Sequence, residues 1–163
     1  MIWAKPAHGK YNLNIDASFH SDGLGAAGAV LRNHRGEALA GMACPLDNLL
    51  NASSAEASAM LKGLEFLENL EISSACIESD SLELIQACNG DMEIWSPHSA
   101  ILAECFVKAS NIGDISFSHC FREANLVAHH LARNAFRSKQ VFIWDGDPPV
   151  FILPFVIKDV ALF

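Results

Sequence analysis

Three acids and a pair of histidines are the residues of this chain whose types and spacing could do chemistry. Asp16 stands inside an alternating segment, NLNIDAS, where Leu13 and Ile15 point one way and the acid the other. Glu56 lies at the start of a run with helical spacing, SSAEASAMLKGLEFLENL, and Asp80 ends a short apolar strand, SACIESD. Carboxylates gathered at the end of a sheet repel one another, and hard divalent cations relieve that repulsion. Two such ions about 4 Å apart activate a water and steady the leaving oxygen in phosphodiester hydrolysis. Each acid also has a plain structural use. Glu56 could complete a capping box with Ser53, Asp80 could cap the helix beginning at Ser81, and Asp16 could lie on a solvated face. The histidines stand side by side in NLVAHHLARNA. At about 100° per residue, Val127, Ala128, Leu131, Ala132 and Ala135 share one apolar stripe. His129 falls at the edge of that stripe, and His130 points to solvent near Arg133 and Asn134.

The elements that must position these groups follow from periodicity. KYNLNIDAS is a half-buried strand, a glycine-rich turn leads to a second strand over Ala26–Arg32, and NHRGEA is a hairpin before a third, ALAGMAC. A long helix begins at Ser53. It is followed by the strand SACIESD, a short helix in SLELIQACNG, and a further helix in SPHSAILAECFVKASN capped near Ser96 with Pro97 in its first turn. ISFSHCF alternates as a fifth strand and EANLVAHHLARNAF is the last helix. The order β-β-β-α-β-α-α-β-α predicts an α/β fold, a mixed five-stranded sheet covered by helices. There is no internal repeat or linker. Residues 1–139 read as one domain, and 140–163 as an apolar, proline-containing tail that docks on it or associates with another chain.

The totals limit the partners. A chain of 163 residues, 51% apolar, has a core to bury, and no apolar run reaches the length of a membrane span. MIWAKPAHGK lacks the apolar core of a signal peptide, and the five scattered cysteines form no CxxC pair. Both features point to a reducing, intracellular setting, nuclear or cytoplasmic. A net charge of −8 disfavours strong unaided binding to nucleic acid, while leaving room for a local cation-dependent site.

WAKPAHGKYNLNIDASFHSDGLGAAGAVLRNHRGEALAG resembles the opening of the ribonuclease H type 1-like domains of plant retroelements and of genes derived from them. The likeness continues through SSAEASAMLKGLEFL, IESDS and SHCFREANLVAHHLARNA, and reaches the tail at PPVFILPFVIKDV. The resemblance implies the ribonuclease H fold, with the second strand antiparallel to its neighbours, and cleavage of the RNA strand of RNA–DNA hybrids by two-metal hydrolysis. In that family four carboxylates hold two magnesium ions. Asp16, Glu56 and Asp80 match three of them. The fourth is normally the aspartate of N-x-x-A-D-x-L-A, where this sequence has N-L-V-A-H-H-L-A and therefore His129. His119 matches the family's mobile histidine, in the loop after the fifth strand, which assists proton transfer or product release. The resemblance gives Asp16 the bridging role, Glu56 and Asp80 one ion, and leaves His129 to complete the other weakly.

Imidazole is softer than a carboxylate and brings no negative charge, so the expected cofactor is Mg2+ or Mn2+ with manganese relatively favoured. Alanine also stands at position 17, where the family commonly has the glycine of D-G-S. Between Asp80 and His129 the fixed cations are Lys108 and Arg122, against six acidic residues, so the family's basic protrusion is absent. The candidates for nucleic-acid contact are Ser18, Ser53, Ser54, Arg122 and Asn125, with Arg32, Arg35 and Arg133 as further phosphate contacts. The expected partner is an RNA–DNA hybrid held weakly, with other domains of a longer polyprotein as further partners. The alternative function is a non-catalytic interaction module on the same fold. Exonuclease or integrase-like chemistry fits less well, because the last-helix motif is of the ribonuclease type. Few cations means few displaced counterions, so hybrid affinity should fall only shallowly with salt. Titration of a moderate-length hybrid at several salt concentrations checks this, and a steep slope with tight binding would refute it.

Overall fold

Alternation along the first strand divides the molecule into two layers. In β1 (Asn12–Phe19), Leu13 and Ile15 join one apolar cluster, while Asn14 and Asp16 belong to the opposite face. The computed structural model describes residues 2–90 and 99–161, so the expected cap at Ser96 and Pro97 lies outside the described residues. Next come β2 (Gly25–Arg32), β3 (Ala38–Leu46), α1 (Ala52–Asn69), β4 (Ser74–Ser79), α2 (Leu82–Cys88), α3 (Ser99–Ile112), β5 (Asp114–His119) and α4 (Leu126–Ser138). The tail adds β6 (Phe142–Asp145) and α5 (Leu153–Val160).

The sheet has six strands in the order β5-β4-β1-β2-β3-β6, one more than expected. The extra strand comes from the tail and pairs antiparallel with β3. As expected, β2 is antiparallel to both neighbours, while β1, β4 and β5 run parallel. Helices α1, α2 and α3 bury Leu64, Leu84 and Leu102 on one face. On the other face Val127, Leu131 and Ala135 of α4 cluster with Trp144, Ile152 and Val156 from beyond residue 140. None of the helices among the described residues is long and apolar enough to cross a membrane.

Two glycines set how closely the helices approach. Gly28 of β2 lies beside Asp16, and a Cβ there would fall 2.3 Å from the Ala128 carbonyl oxygen and 2.6 Å from the Ala132 nitrogen. Helix α4 therefore rests its backbone on the sheet at the level of Asp16. Under α1, a Cβ at Gly63 would meet only side-chain atoms, Ile15 Cγ2 at 2.9 Å and Leu13 Cδ2 at 3.1 Å.

Arg32 is not a phosphate contact. It is 1% exposed, and its Nη1 donates to Asp159 Oδ2 of α5 at 2.5 Å. Nε and Nη2 donate to the Gly36 carbonyl at 3.2 and 2.8 Å, and the Trp3 ring lies 3.9 Å from the guanidinium. Breaking a buried pair of this kind leaves an uncompensated charge, so the contact ties the tail firmly to β2.

Gly28→Ala should lower unfolding free energy by about 1–3 kcal/mol, because backbone cannot step aside. Gly63→Ala should cost clearly less, since side chains can shift and alanine recovers about 1 kcal/mol of helix propensity. Denaturant titration of both variants tests the ranking, and the reverse order would mean that α4 is not seated on Gly28.

Candidate metal centre

The helix carrying Glu56 is capped two residues earlier than its sequence suggests. Asn51 is the N-cap, and its Oδ1 accepts from the Ser54 amide at 2.8 Å. The Ser54 hydroxyl accepts from the amides of Leu50 and Asn51 at 3.0 and 3.1 Å and donates to the Asn51 carbonyl at 2.8 Å. Ser54 is thus buried and fully engaged, which removes it from contact with nucleic acid. Ser53 is not the cap, and Glu56 has no capping duty. Asp80 is likewise free of the role it could have had, because Ser81 caps α2 by accepting from the Leu84 amide at 3.3 Å.

Released from capping, Glu56 meets Asp16 from the middle of β1 and Asp80 from just beyond β4. One carboxylate oxygen from each lies within 4.8 Å of the others. Asp16 is 4% exposed, and Glu56 Oε2 is buried without a hydrogen-bond partner. Burial, then the charges of Asp16 and Asp80, push the Glu56 carboxyl up to about 9, with Arg122 pulling the other way. Asp80 is also raised, by burial and by Asp16, against the pull of Arg122, whose Nε stands 3.6 Å from Asp80 Oδ2. A hard cation fits such a donor set: all ligands are carboxylate oxygens, and one buried oxygen has nothing else to bond.

His129 stands beside these acids. Its Nδ1 lies 3.0 Å from Asp16 Oδ2, and that hydrogen bond, opposed by partial burial, raises the imidazole's pKa. The helix is held in place for this contact by Asn125. Asn125 is 2% exposed, donates through Nδ2 to the Ile15 carbonyl at 2.8 Å and accepts from Asn14 Nδ2 at 3.2 Å. Both ends of its amide are engaged inside the protein, so it fastens α4 to β1 and is not a nucleic-acid contact. His130 is not simply solvated either. Its ring stacks on Phe155 of α5 with centroids 3.8 Å apart, at 15°.

Of the remaining candidates, Ser53, His119 and Arg122 line a cleft of about 480 Å³ together with Glu56 and Asp80. His119 is the last residue of β5, paired with Ser79, rather than part of the following loop. Its ring meets Phe121 edge-on at 5.6 Å. Arg122 is 81% exposed in its side chain and reaches solvent freely. The Ser53 hydroxyl donates to Glu83 at 3.3 Å. Ser18 is two residues beyond Asp16, and its hydroxyl oxygen is buried without a partner. Phe121, Glu83 and Glu123 also line the cleft and were not singled out by the sequence reading. The signal for two of them was their place beside Arg122 in FRE.

The family model described as reverse transcriptase-like matches residues 14–135, a segment that contains all three acids and both His119 and His129. No curated protein matches the chain in sequence. Among solved structures, the N-terminal RNase H domain of Rv2228c from Mycobacterium tuberculosis has a TM-score of 0.72 at 20% identity, over 79% of this chain and 94% of that one. RNase H1 from the archaeon Halobacterium salinarum gives 0.66 at 22%, over 81% and 100%. LC11-RNase H1, isolated from compost and solved in complex with an RNA/DNA hybrid, gives 0.69 at 21%, over 80% and 99%. Identities this low speak for the fold alone, whereas the family match spans most of the sequence, and the chain belongs to the reverse transcriptase-like family as a ribonuclease H-like domain.

Proposed function

We propose that this domain hydrolyses the RNA strand of RNA–DNA hybrids with divalent cations held by Asp16, Glu56 and Asp80. The observation that carries the reading is the meeting of three carboxylates within 4.8 Å, with one Glu56 oxygen buried and unpartnered. Bound divalent ions would supply an activated water and charge stabilisation for the leaving oxygen. The chain's own groups do the rest. Asp16 offers the oxygen not engaged by His129, and Glu56 and Asp80 present theirs from rigid elements. His119, on a strand end at the cleft, would take the role in proton transfer or product release that the resemblance implies. Arg122 and Ser53 face the cleft as contacts for a phosphate backbone, and Ser18 is the remaining candidate beside Asp16. The hybrid seen with LC11-RNase H1 supports this substrate class by analogy of fold.

Manganese is favoured over magnesium in this reading, because His129 adds imidazole where a carboxylate would add charge. A second reading, a binding module without efficient catalysis, is favoured by one observation. His129 already occupies Asp16 Oδ2, and the cleft rim adds Glu83 and Glu123 to the acids.

Asp16→Asn should abolish divalent-dependent cleavage of a labelled hybrid, a loss on the order of 10³ for several kcal/mol of transition-state stabilisation. Cleavage surviving in a nuclease-free preparation would remove Asp16 from the mechanism. His129→Asp should raise magnesium-dependent cleavage by roughly tenfold, typical of a single group tuning a metal site. His129→Ala should lower cleavage in manganese. Gel assays of both variants in each metal decide this, and equal rates throughout would exclude His129. No cleavage by the wild type or any variant favours the binding module.

Proton linkage gives an independent test on the metal-free protein. The folded Glu56 carboxyl keeps its proton up to about 9, whereas an unfolded one releases it near 4.5. Between those values the folded state binds more protons, so stability falls as pH rises. In chelator at pH 8, Glu56→Gln should therefore melt higher than wild type and show a flatter pH dependence. Added manganese should reverse that order by stabilising only the wild type. Identical melting curves with and without the ion would argue against a cation at this site.

A further inference from the structure

We propose that the free edge of β6 pairs antiparallel with β6 of a second copy of this chain, joining two six-stranded sheets through a two-fold axis. Among the described residues β6 is the last strand in the sheet order, and β3 is its one strand neighbour. The Gly146 amide donates to the Leu39 carbonyl at 2.9 Å, which fixes the phase of the ladder. By antiparallel alternation, Trp144 and Phe142 turn their N–H and C=O groups toward β3, and Ile143 and Asp145 turn theirs outward. An outward row of unpaired backbone groups is a template for another strand.

The two edges of this sheet are treated differently. At the β5 edge the exposed positions are Asp114, Ser116 and Ser118, polar residues of the kind that discourage pairing. At the β6 edge, Val141 is 65% exposed, Ile143 63% and Phe142 38%. Within Phe142–Asp145 there is no lysine, no proline and no register shift, the devices that usually protect an edge.

Charge selects the occupant. Lys139 precedes the strand, and Asp145 and Asp147 end and follow it. An antiparallel pair of identical strands brings the lysine end of each copy to the acidic end of the other, so the edge is complementary to itself. The ladder's phase allows only registers in which outward-facing residues oppose one another. One of these sets Ile143 against Val141 of the second copy, twice over by symmetry. The metal centre lies at β1 and β4, with β2 and β3 between it and this edge, so both clefts stay open. The contact is small, and association should be reversible and concentration-dependent.

Sedimentation velocity on the full chain, from about 1 μM to several hundred μM, should show a monomer–dimer equilibrium. Ile143→Pro removes an outward N–H while leaving the bonds to β3, and should weaken association by about tenfold or more. Lys139→Glu should also weaken it by setting acid against acid, and the double variant Lys139→Glu/Asp145→Lys should restore it. Near-UV circular dichroism and the melting temperature verify that each variant is folded. If Ile143→Pro unfolds, the charge series decides alone. A wild type that is monomeric throughout overturns the proposal and leaves the edge to a strand of some other protein. Association unchanged by Ile143→Pro or by the charge reversal overturns it as well.

Discussion

Three carboxylates share a few ångströms of poorly solvated protein, and the rest of the site is arranged around holding them there. Their mutual repulsion would drive flexible side chains apart. It is resisted because the groups sit on or directly beside regular elements: the centre of β1, the second turn of a helix capped at Asn51, and the residue just beyond β4. The Asn51–Ser54 cap matters in this respect. By satisfying the first amides of α1 it leaves Glu56 with no local partner, and a buried oxygen with no partner is stable only as the neutral acid or beside a cation. Burial keeps Glu56 protonated well above the ordinary carboxylate range, as expected of a site poised for an added positive charge.

The contact of His129 with Asp16 is held by packing as much as by charge. Gly28 lets the backbone of α4 lie against β2, and Asn125 pins the start of that helix to the Ile15 carbonyl. Together they place His129 against Asp16 with little freedom. The hydrogen bond to Asp16 at 3.0 Å raises the imidazole's pKa, and whenever His129 carries a proton it offsets part of the acids' repulsion.

Much of this was legible in the sequence. Period-two alternation located β1 and placed Asp16 opposite Leu13 and Ile15, and the helical stripe of α4 matched its buried residues. The acids were legible as a set because Asp16 broke an apolar strand, Glu56 fell near the start of a helix and Asp80 ended a strand, positions a sheet can gather from distant parts of the sequence. The misses were residues whose role depends on a distant partner. Nothing local distinguishes Asn125 as a buried fastener from a surface amide, or Arg32 as the mate of Asp159 from a phosphate contact. His130 pointed away from the apolar stripe as expected, but the ring of Phe155 was waiting there. The cap was misplaced because Ser53 and Glu56 satisfied the spacing of a capping box that Asn51 and Ser54 also satisfied, and Asn51 is the one that won.

The region after residue 135, where the family match stops, bears on the site through α4. The outer stripe of that helix finds small residues on the sheet, among them Ala26 and Ala43, which alone give little to pack against. Trp144, seated over Gly41, and Ile152 and Val156 supply the bulk that closes the cluster. Phe155 covers His130, the residue next to the one that holds Asp16. Arg32 and Asp159 then tie α5 to β2, the strand on which α4 rests. Segments with no chemistry of their own thus pack α4 onto the sheet, and from that helix His129 reaches Asp16 at 3.0 Å.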